Sequence, residues 1–210
     1  MHATRHPKLL PTRGRWQEPS DATPVAKFMS WEKNWTPFIH EGRLYLSYRL
    51  EPHVVLRCNW QTGGCTVAHR TNSTAVWAHQ RTSVRMGARG GSPAVHLRSV
   101  GSYVGIAHFR NPSGIYDHCL YEFEDRPPFA MLRSSQRFMF NSSDRIQFVA
   151  GMYKHHDELV VSYGASDIAS WESELPIARA LELLGSPRST SRGSSSSYYG
   201  GSSGVAMHPH

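Results

Sequence analysis

Six polar residues of this chain have side chains that could hold a sugar or an anion. They are Lys33, Asn34, Arg49, Arg89, His108 and Asp167. Lysine and arginine supply cationic donors for phosphate or carboxylate, and the planar arginine fork can bind either group through two hydrogen bonds. Amide, imidazole and carboxylate groups form directional hydrogen bonds of the kind that sugar hydroxyls accept and donate. These residue types therefore favour a site for a sugar or a small anion.

Each of these residues also has a purely structural interpretation. Lys33 could be a solvated lysine before a strand, and Arg49 and Arg89 could form surface salt bridges. His108 stands at the end of a predicted strand, where a single histidine commonly has a structural role. Asp167 could cap the segment that follows it. The residue types alone leave both interpretations open.

The elements that would position these side chains are hairpins. In Arg43–Arg49, Leu44, Leu46 and Tyr48 alternate with polar residues, which is the period of a strand with one buried face. The preceding turn, His40-Glu41-Gly42, has the glycine that a tight hairpin requires. We expect a two-stranded ribbon with Leu44, Leu46 and Tyr48 facing inward.

The same hairpin pattern occurs three times. It returns at Gly101–His108 and at Asp157–Gly164, and aligning Leu44, Tyr103 and Leu159 gives intervals of 59 and 56 residues. A β-hairpin that recurs at a nearly constant interval is typical of radially repeated sheets, as in a propeller. The alternative is an ordinary antiparallel sheet protein, in which such alternation arises by chance.

The chain divides by composition into four segments. Residues 1–30 predict a loose lead-in without periodicity, residues 31–172 predict propeller-like blades, residues 173–185 predict a short helix, and the Ser/Gly-rich residues 186–210 predict a disordered tail. Within the blades, residues 71–89 are expected to be irregular. The predicted fold class is all-β: a partial β-propeller of two to three blades with a short C-terminal helix. Because such a set of blades cannot close a ring, open sheet edges predict self-association.

Composition limits the function classes. The 210 residues include 23 Lys+Arg against 16 Asp+Glu, which gives a net charge of +7, and 13 His. The arginines are dispersed and form no basic stripe, so we expect no nucleic-acid partner, whereas scattered arginines suit small anionic ligands. There is no apolar window of about 18 residues, so we expect no membrane span. We expect no metal and no cofactor.

The cysteines and glycosylation sequons bear on the cellular compartment. Cys58 and Cys65 flank a turn, and a hairpin could bring them together as a disulfide in an oxidising lumen but not in cytosol. Cys119 lies among apolar residues and predicts a buried thiol. Three sequons raise the prospect of a secretory location: Asn34-Trp35-Thr36, Asn72-Ser73-Thr74 and Asn141-Ser142-Ser143. The lumen of the secretory pathway is favoured over the cytoplasm, and the compartment stays open.

Five segments in order resemble those of a known family. They are Lys33-Asn34 with Pro37-Phe38, Arg89-Gly90-Gly91-Ser92-Pro93, Tyr103 to His108, Leu120-Tyr121-Glu122-Phe123-Glu124-Asp125 followed by Leu132-Arg133-Ser134, and Tyr163-Gly164-Ala165-Ser166-Asp167. They resemble glycoside hydrolase family 130, the mannoside phosphorylases and related mannosidases built on a five-bladed β-propeller. The resemblance implies a mannoside substrate, inorganic phosphate as a co-substrate and a phosphate-binding role for Lys33.

Two departures from the family pattern concern catalysis. The family places its catalytic aspartate in a Glu-Asp-Pro-Arg segment of an earlier blade, and nothing before Glu32 resembles that segment. Glu124-Asp125-Arg126-Pro127 has these residue types in another order, at the position of an inter-blade linker, so the catalytic role is not transferred to it. Where phosphorylases have a His-Arg-Pro element, this chain has Tyr48-Arg49-Leu50-Glu51-Pro52. The loss of the histidine weakens the case for phosphate as nucleophile.

Three hypotheses follow. The first is a carbohydrate-active propeller that acts on mannose-type glycosides, of which this chain is a C-terminal part that lacks the general acid and is inactive alone. In that fold a carboxylic acid protonates the leaving oxygen while phosphate or water attacks the anomeric carbon, and the configuration at that carbon is inverted. The second is a non-catalytic glycan-binding or scaffold domain associated with a glycosyltransferase. The third and weakest is a propeller for protein partners.

Overall fold

The computed structural model describes residues 34–80 and 86–185. The predictions for residues 1–30 and 186–210, and the position of Lys33, lie outside these ranges. The described part contains twelve β-strands and two α-helices: β1 (Thr36–His40), β2 (Arg43–Leu50), β3 (His53–Cys58), β4 (Cys65–Thr71), α1 (Thr74–Trp77), β5 (Met86–Arg89), β6 (Val95–Leu97), β7 (Ser102–Arg110), β8 (Tyr116–Glu124), β9 (Met131–Ser134), β10 (Gln147–His155), β11 (Glu158–Ala165), β12 (Ala169–Pro176) and α2 (Ile177–Leu184). A single 3-10 turn, Ala78–Gln80, follows α1.

The strands form three antiparallel sheets in chain order. Sheet 1 is β1-β2-β3-β4, sheet 2 is β5-β7-β8-β9 with β6 also paired to β7, and sheet 3 is β10-β11-β12. Sheets 1 and 3 are meanders in which neighbouring strands are also neighbours in sequence. Sheet 2 is a meander from β7 to β9, and both β5 and β6 pair with β7. Successive meanders that pack face to face are consecutive blades of a propeller, so the predicted all-β, partial-propeller fold is confirmed.

The repeat alignment also holds in the structure. Leu44, Tyr103 and Leu159 are each the second residue of the second strand of a sheet, in β2, β7 and β11. The turn glycines Gly42 and Gly101, which precede two of these strands, have φ values of 72° and 66°. A left-handed conformation of this kind favours glycine.

The first core lies between sheets 1 and 2 and is aromatic. Phe38 of β1 packs its ring within 5.0–5.4 Å of four others, those of Tyr45, Tyr103, Phe123 and Phe129. Aromatic pairs at this separation add stability beyond the area that they bury. This core therefore fixes how sheet 1 sits on sheet 2.

The second core lies between sheets 2 and 3 and is mainly aliphatic. It joins apolar residues of β7 and β8 to those of β10 and β11, and α2 closes it with Ile177, Ala180 and Leu184. None of the helices within the described ranges has the length and apolar character that a bilayer crossing needs.

The predicted orientation of β2 was wrong. Tyr45 and Ser47 are the buried residues that face sheet 2, whereas Leu44, Leu46 and Tyr48 lie half-buried on the opposite face. There they pack with a small group from β3 and β4: Val54, Leu56, Cys58 and Cys65. Alternation identified the two faces correctly, but both carry apolar side chains, and it could not tell which one meets the next sheet.

Two segment boundaries also differ from the prediction. Residues 173–176 belong to β12, and the helix begins at Ile177 after Pro176. Ser173 and Leu175 face inward in the alternating pattern of a strand. The predicted helix end was right, because the amide of Gly185 donates to the carbonyls of Leu181 and Glu182. Residues 71–89, expected to be irregular, contain α1, the 3-10 turn and β5.

The cysteines have the arrangement predicted from the sequence, with one pair across a hairpin and one buried thiol. Cys58 and Cys65 are opposite each other in the β3–β4 register and form a disulfide. Cys119 is a free, buried thiol in the aromatic core, and burial raises its pKa. It is therefore an inert core residue.

Candidate functional site

The three sheets meet at one end, where their inner strands are paired with the ends of their second strands. Three register pairs mark this end: Thr36 with Ser47, Arg89 with His108, and Gln147 with Ala165. In a propeller the inner strands surround the central axis, so residues at this end of the three sheets come close to one another.

Gly90 and Gly91 hold the three sheets together at this end. A Cβ atom on Gly90 would lie 2.7 Å from the Asn34 carbonyl oxygen and in contact with the Thr36 hydroxyl. A Cβ atom on Gly91 would lie 2.9 Å from the carbonyl oxygen of Val149 in β10. Contacts this short exclude any side chain. Neither glycine has a positive φ, so their function here is to permit close approach of neighbouring backbones.

Asn34 lies directly before β1 and beside this glycine pair. Its φ is 68°, a conformation in which asparagine is one of the commoner non-glycine residues. The residue is half-buried, and its carbonyl contacts the segment between β5 and β6. Asn34 is thus held at the junction of sheets 1 and 2.

His108 is the next member of the group. It is 6% exposed, its ring stacks on Tyr116 at 5.6 Å, and Phe148 of β10 meets it edge-on at 5.3 Å. Its Nδ1 atom lies 3.7 Å from the Cβ position of Gly91. His108 therefore belongs to the junction of sheets 2 and 3. We call Asn34, Gly90, Gly91, His108 and Phe148 the central cluster.

Arg89 and Arg49 approach this end from different strands. Arg89 ends β5, is half-buried and is paired in register with His108, which places it next to the central cluster. Arg49 lies two residues beyond Ser47 in β2, so it shares the end of sheet 1 but stands on the second strand rather than the inner one.

Asp167 is placed apart from these residues. It is exposed, with a φ of 59°, in the turn between β11 and β12. The neighbouring Ser166 is tied to Asp144 by a hydroxyl–carboxylate hydrogen bond of 3.1 Å. Asp167 therefore lies on the rim of sheet 3 and does not join the central cluster.

Several residues of this end were not found from the sequence. Ser92 is fully buried and its hydroxyl accepts the amide of Ile106 at 3.1 Å, which ties the glycine segment to β7. Phe148 supplies the apolar wall beside His108. Ser92 could have been found from the Gly-Gly-Ser-Pro run, but no sequence feature distinguishes Phe148 from an ordinary strand residue.

A second histidine, His118, lies next to His108 and is more deeply buried. His118 lies opposite His108 in the β7–β8 register and is fully buried between Phe138 and Phe140. Burial lowers the pKa of His118 to about 3, and the neighbouring His108 acts in the same direction. His118 is therefore neutral at pH 7.

Comparison with known proteins gives a likeness of fold. No protein-family model matches the sequence, and no curated protein matches it either. The chain is similar in structure to a glycosyl hydrolase from Bacteroides ovatus, with 12% identity and a TM-score of 0.47, over 72% of this chain and 51% of that one.

A second structure comes from the GH130 family of mannoside phosphorylases, which is described as containing glycoside hydrolases that target β-1,2-mannosidic linkages in Candida mannan. It is 13% identical, with a TM-score of 0.47, over 71% of this chain and 50% of that one. The chain thus spans about half the length of both structures. At this identity the likeness assigns no role to any residue of this chain.

Proposed function

We propose that this chain is the glycan-holding part of a carbohydrate-active β-propeller that acts on mannose-type sugars. The observation that supports this best is the convergence of Asn34, Arg89 and His108 at the junction of three sheets. These residues come from separate segments of the chain, and close glycine packing brings the segments together.

The chemistry of these groups suits a sugar. The Asn34 amide can donate and accept, the Arg89 guanidinium donates in a planar fork, and His108 presents ring nitrogens beside Phe148. Sites for small molecules combine an apolar wall with a few placed polar groups, which is the composition found here. Arg49 and Lys33 are the proposed additional contacts to a phosphate, and Asp167 is the proposed rim contact to a sugar hydroxyl.

The central cluster contains no carboxyl group. An inverting glycosidase needs a carboxylic acid that protonates the leaving oxygen while phosphate or water attacks the anomeric carbon. We therefore assign ligand binding to these residues and expect the proton donor to be supplied from outside the described ranges. Binding without turnover, as in a glycan-binding domain, is the second candidate function, and the same observation favours it.

The experiment is a thermal-shift titration with mannose, mannose 1-phosphate and inorganic phosphate. We expect mannose 1-phosphate to raise the Tm most, because it offers hydroxyls to Asn34 and an anion to arginine. The variant Asn34→Gly keeps the positive φ and removes only the side-chain amide, so it should abolish the shift without unfolding the chain.

Further variants assign the contacts. Loss of the phosphate-induced shift in Lys33→Ala would place Lys33 in the site, and an unchanged shift would remove it. The absence of any shift with all three ligands in the unmodified chain would contradict the proposal.

A further inference from the structure

A pocket lies at the opposite end of sheet 1 from the central cluster. It has a volume of about 560 Å³ and lies between the β1–β2 turn and the β3–β4 turn. The register places these turns away from the cluster, since His40 pairs with Arg43 at this end and Thr36 with Ser47 at the other. Its polar and aromatic lining includes Arg43, Arg57, Asn59, Trp60, Gln61 and Thr66.

Trp60 is the most unusual residue of this pocket. Its side chain is 77% exposed, although an indole is among the largest apolar surfaces that a protein can bury. Exposed tryptophans with a fixed position are well suited to stack on the C–H face of a sugar ring or on another flat ligand.

The hairpin that carries Trp60 is held rigidly. The Cys58–Cys65 disulfide closes its base. The Asn59 side-chain oxygen accepts hydrogen bonds from the backbone amides of Gln61 and Thr62 at 2.9 and 3.2 Å. The backbone amide of Asn59 donates to the Gly64 carbonyl at 2.8 Å. The backbone on both sides of Trp60 is therefore fixed before any ligand arrives, which reduces the entropy cost of binding.

Two arginines give the pocket its charge. Arg57 is opposite Tyr45 in the β2–β3 register, and Arg43 lies two residues before Tyr45, so both arginines project from the same face of sheet 1. Cross-strand diagonal neighbours are about 7–8 Å apart, which is within reach of one anion for two long side chains. Both are exposed, and the ion pairs found over the described ranges use neither of them.

We propose that this pocket binds a sugar ring that carries a carboxylate or a phosphate. Trp60 stacks on the apolar face of the ring, and Arg43 and Arg57 hold the anionic group through charge-assisted hydrogen bonds. The Gln61 amide and the Thr66 hydroxyl are the partners for the remaining ring hydroxyls. This site is independent of the central cluster and needs no residue of it.

The test is an NMR titration that follows the indole N–H of Trp60. The chain has six tryptophans, so the Trp60 resonance is assigned by its absence in Trp60→Ala. The ligands are glucuronate, mannose 6-phosphate and uncharged mannose. We expect saturable shifts with at least one of the two acids, and binding of mannose about tenfold weaker or more, since mannose lacks the charged contact. The acid that binds more tightly identifies the preferred anion.

The variants separate the two parts of the pocket. Trp60→Ala should abolish binding, followed through the backbone amides of Gln61 and Thr66. Arg57→Lys should retain part of the affinity lost in Arg57→Ala, because the charge remains but the fork is lost. Arg98→Ala removes an exposed arginine outside the pocket and should change nothing. Asn34→Gly should also leave binding to this pocket unchanged. The proposal for this pocket and the proposal for the central cluster can therefore fail separately.

Three results would overturn the proposal. They are no saturable shift with either acid, equal affinity for mannose and the acids, or binding that survives in Trp60→Ala. Concentration-dependent dimerisation that Trp60→Ala abolishes would show that Trp60 serves a protein contact instead, and would overturn it as well.

Discussion

The carbonyl oxygen of Asn34 lies 2.7 Å from the position that a Cβ atom on Gly90 would occupy. This contact joins the residue before β1 to the residue after β5, so at this point the backbones of sheets 1 and 2 approach each other closely. The Thr36 hydroxyl also lies in the way, but the Asn34 atom is a backbone oxygen, which cannot rotate away as the end of a side chain can.

We therefore expect Gly90→Ala to destabilise the fold by about 1–3 kcal/mol through overpacking. Gly87→Ala, three residues earlier in β5, is the matched control, because a Cβ atom there meets nothing within 4 Å. The control should stay within about 0.5 kcal/mol of the unmodified chain. The measurement is urea unfolding of the three proteins, and equal midpoints for the two variants would contradict the packing at Gly90.

A hydroxyl pair between Tyr121 and Thr36 joins the same two sheets deep in the interior. The Tyr121 hydroxyl donates to the Thr36 hydroxyl oxygen at 3.0 Å, and both residues are fully buried. Burial also raises the pKa of Tyr121, so the phenol stays protonated. Tyr121→Phe leaves a buried hydroxyl without this partner and should cost about 1–3 kcal/mol of stability.

The control for Tyr121→Phe is Tyr153→Phe, which removes a hydroxyl from a side chain that is 53% exposed. It should be nearly neutral in thermal unfolding. If both variants lower the Tm equally, the inter-sheet hydrogen bond contributes nothing specific.

Features of this fold that depend on local sequence were predicted correctly, and features that depend on long-range contacts were not. The second strands of the three sheets were predicted from alternation, a local property. The orientation of β2 was not, because both faces of the strand carry apolar side chains and only long-range packing against sheet 2 distinguishes them. The helix start was also mispredicted, since Leu175 fits a helical period and a strand period equally well, and only pairing with Leu159 decides between them.

The candidate site was predictable in its parts but not in its assembly. Asn34, Arg89 and His108 were singled out by residue type and by resemblance to a family. Their proximity depends on Gly90 and Gly91 fitting between neighbouring sheets, which is a long-range packing property. Asp167 was singled out in the same way, and the structure places it in the exposed turn after β11.

The Glu122 carboxylate is buried and depends on two donors. It accepts the Ser102 hydroxyl at 2.6 Å and forms an ion pair with Arg133, with only 4% of the glutamate side chain and 12% of the arginine side chain exposed. Removing one partner of a buried pair leaves an uncompensated charge, so Arg133→Ala should cost about 3–5 kcal/mol.

The matched control is Arg179→Ala, which breaks the exposed pair between Arg179 and Glu182 in α2. Exposed pairs contribute little, so we expect a change of less than about 1 kcal/mol. Chemical unfolding at neutral pH measures both. A loss in Arg133→Ala no larger than in the control would contradict a stabilising role for the buried Glu122–Arg133 pair.

Acid should destabilise the fold through two buried histidines. Burial lowers the pKa of His53 to about 4 and that of His118 to about 3, from 6.5 for an exposed histidine. Below pH 6.5 the unfolded chain binds protons that the folded chain does not, so stability is complete above pH 6.5 and falls as the pH drops toward 4. Each group contributes a slope of about 1.4 kcal/mol per pH unit in this window.

The variant that tests this is His118→Phe, which places an apolar ring between Phe138 and Phe140. It should reduce the dependence of unfolding free energy on pH between 6.5 and 4 by about one proton. Urea unfolding at pH 7, 6 and 5 measures the slope. An unchanged slope would mean that His118 does not titrate between the folded and unfolded chains as burial requires.

The most direct test of the account is NMR mapping of mannose 1-phosphate binding on the uniformly labelled chain. We predict that the largest shift changes fall on the Asn34 side-chain amide, the backbone amides of Gly90 and Gly91 and the His108 ring. We also predict that these changes disappear in Asn34→Gly. Shift changes confined to other surfaces, or none at saturating ligand, would contradict the claim that the junction of the three sheets is a sugar site.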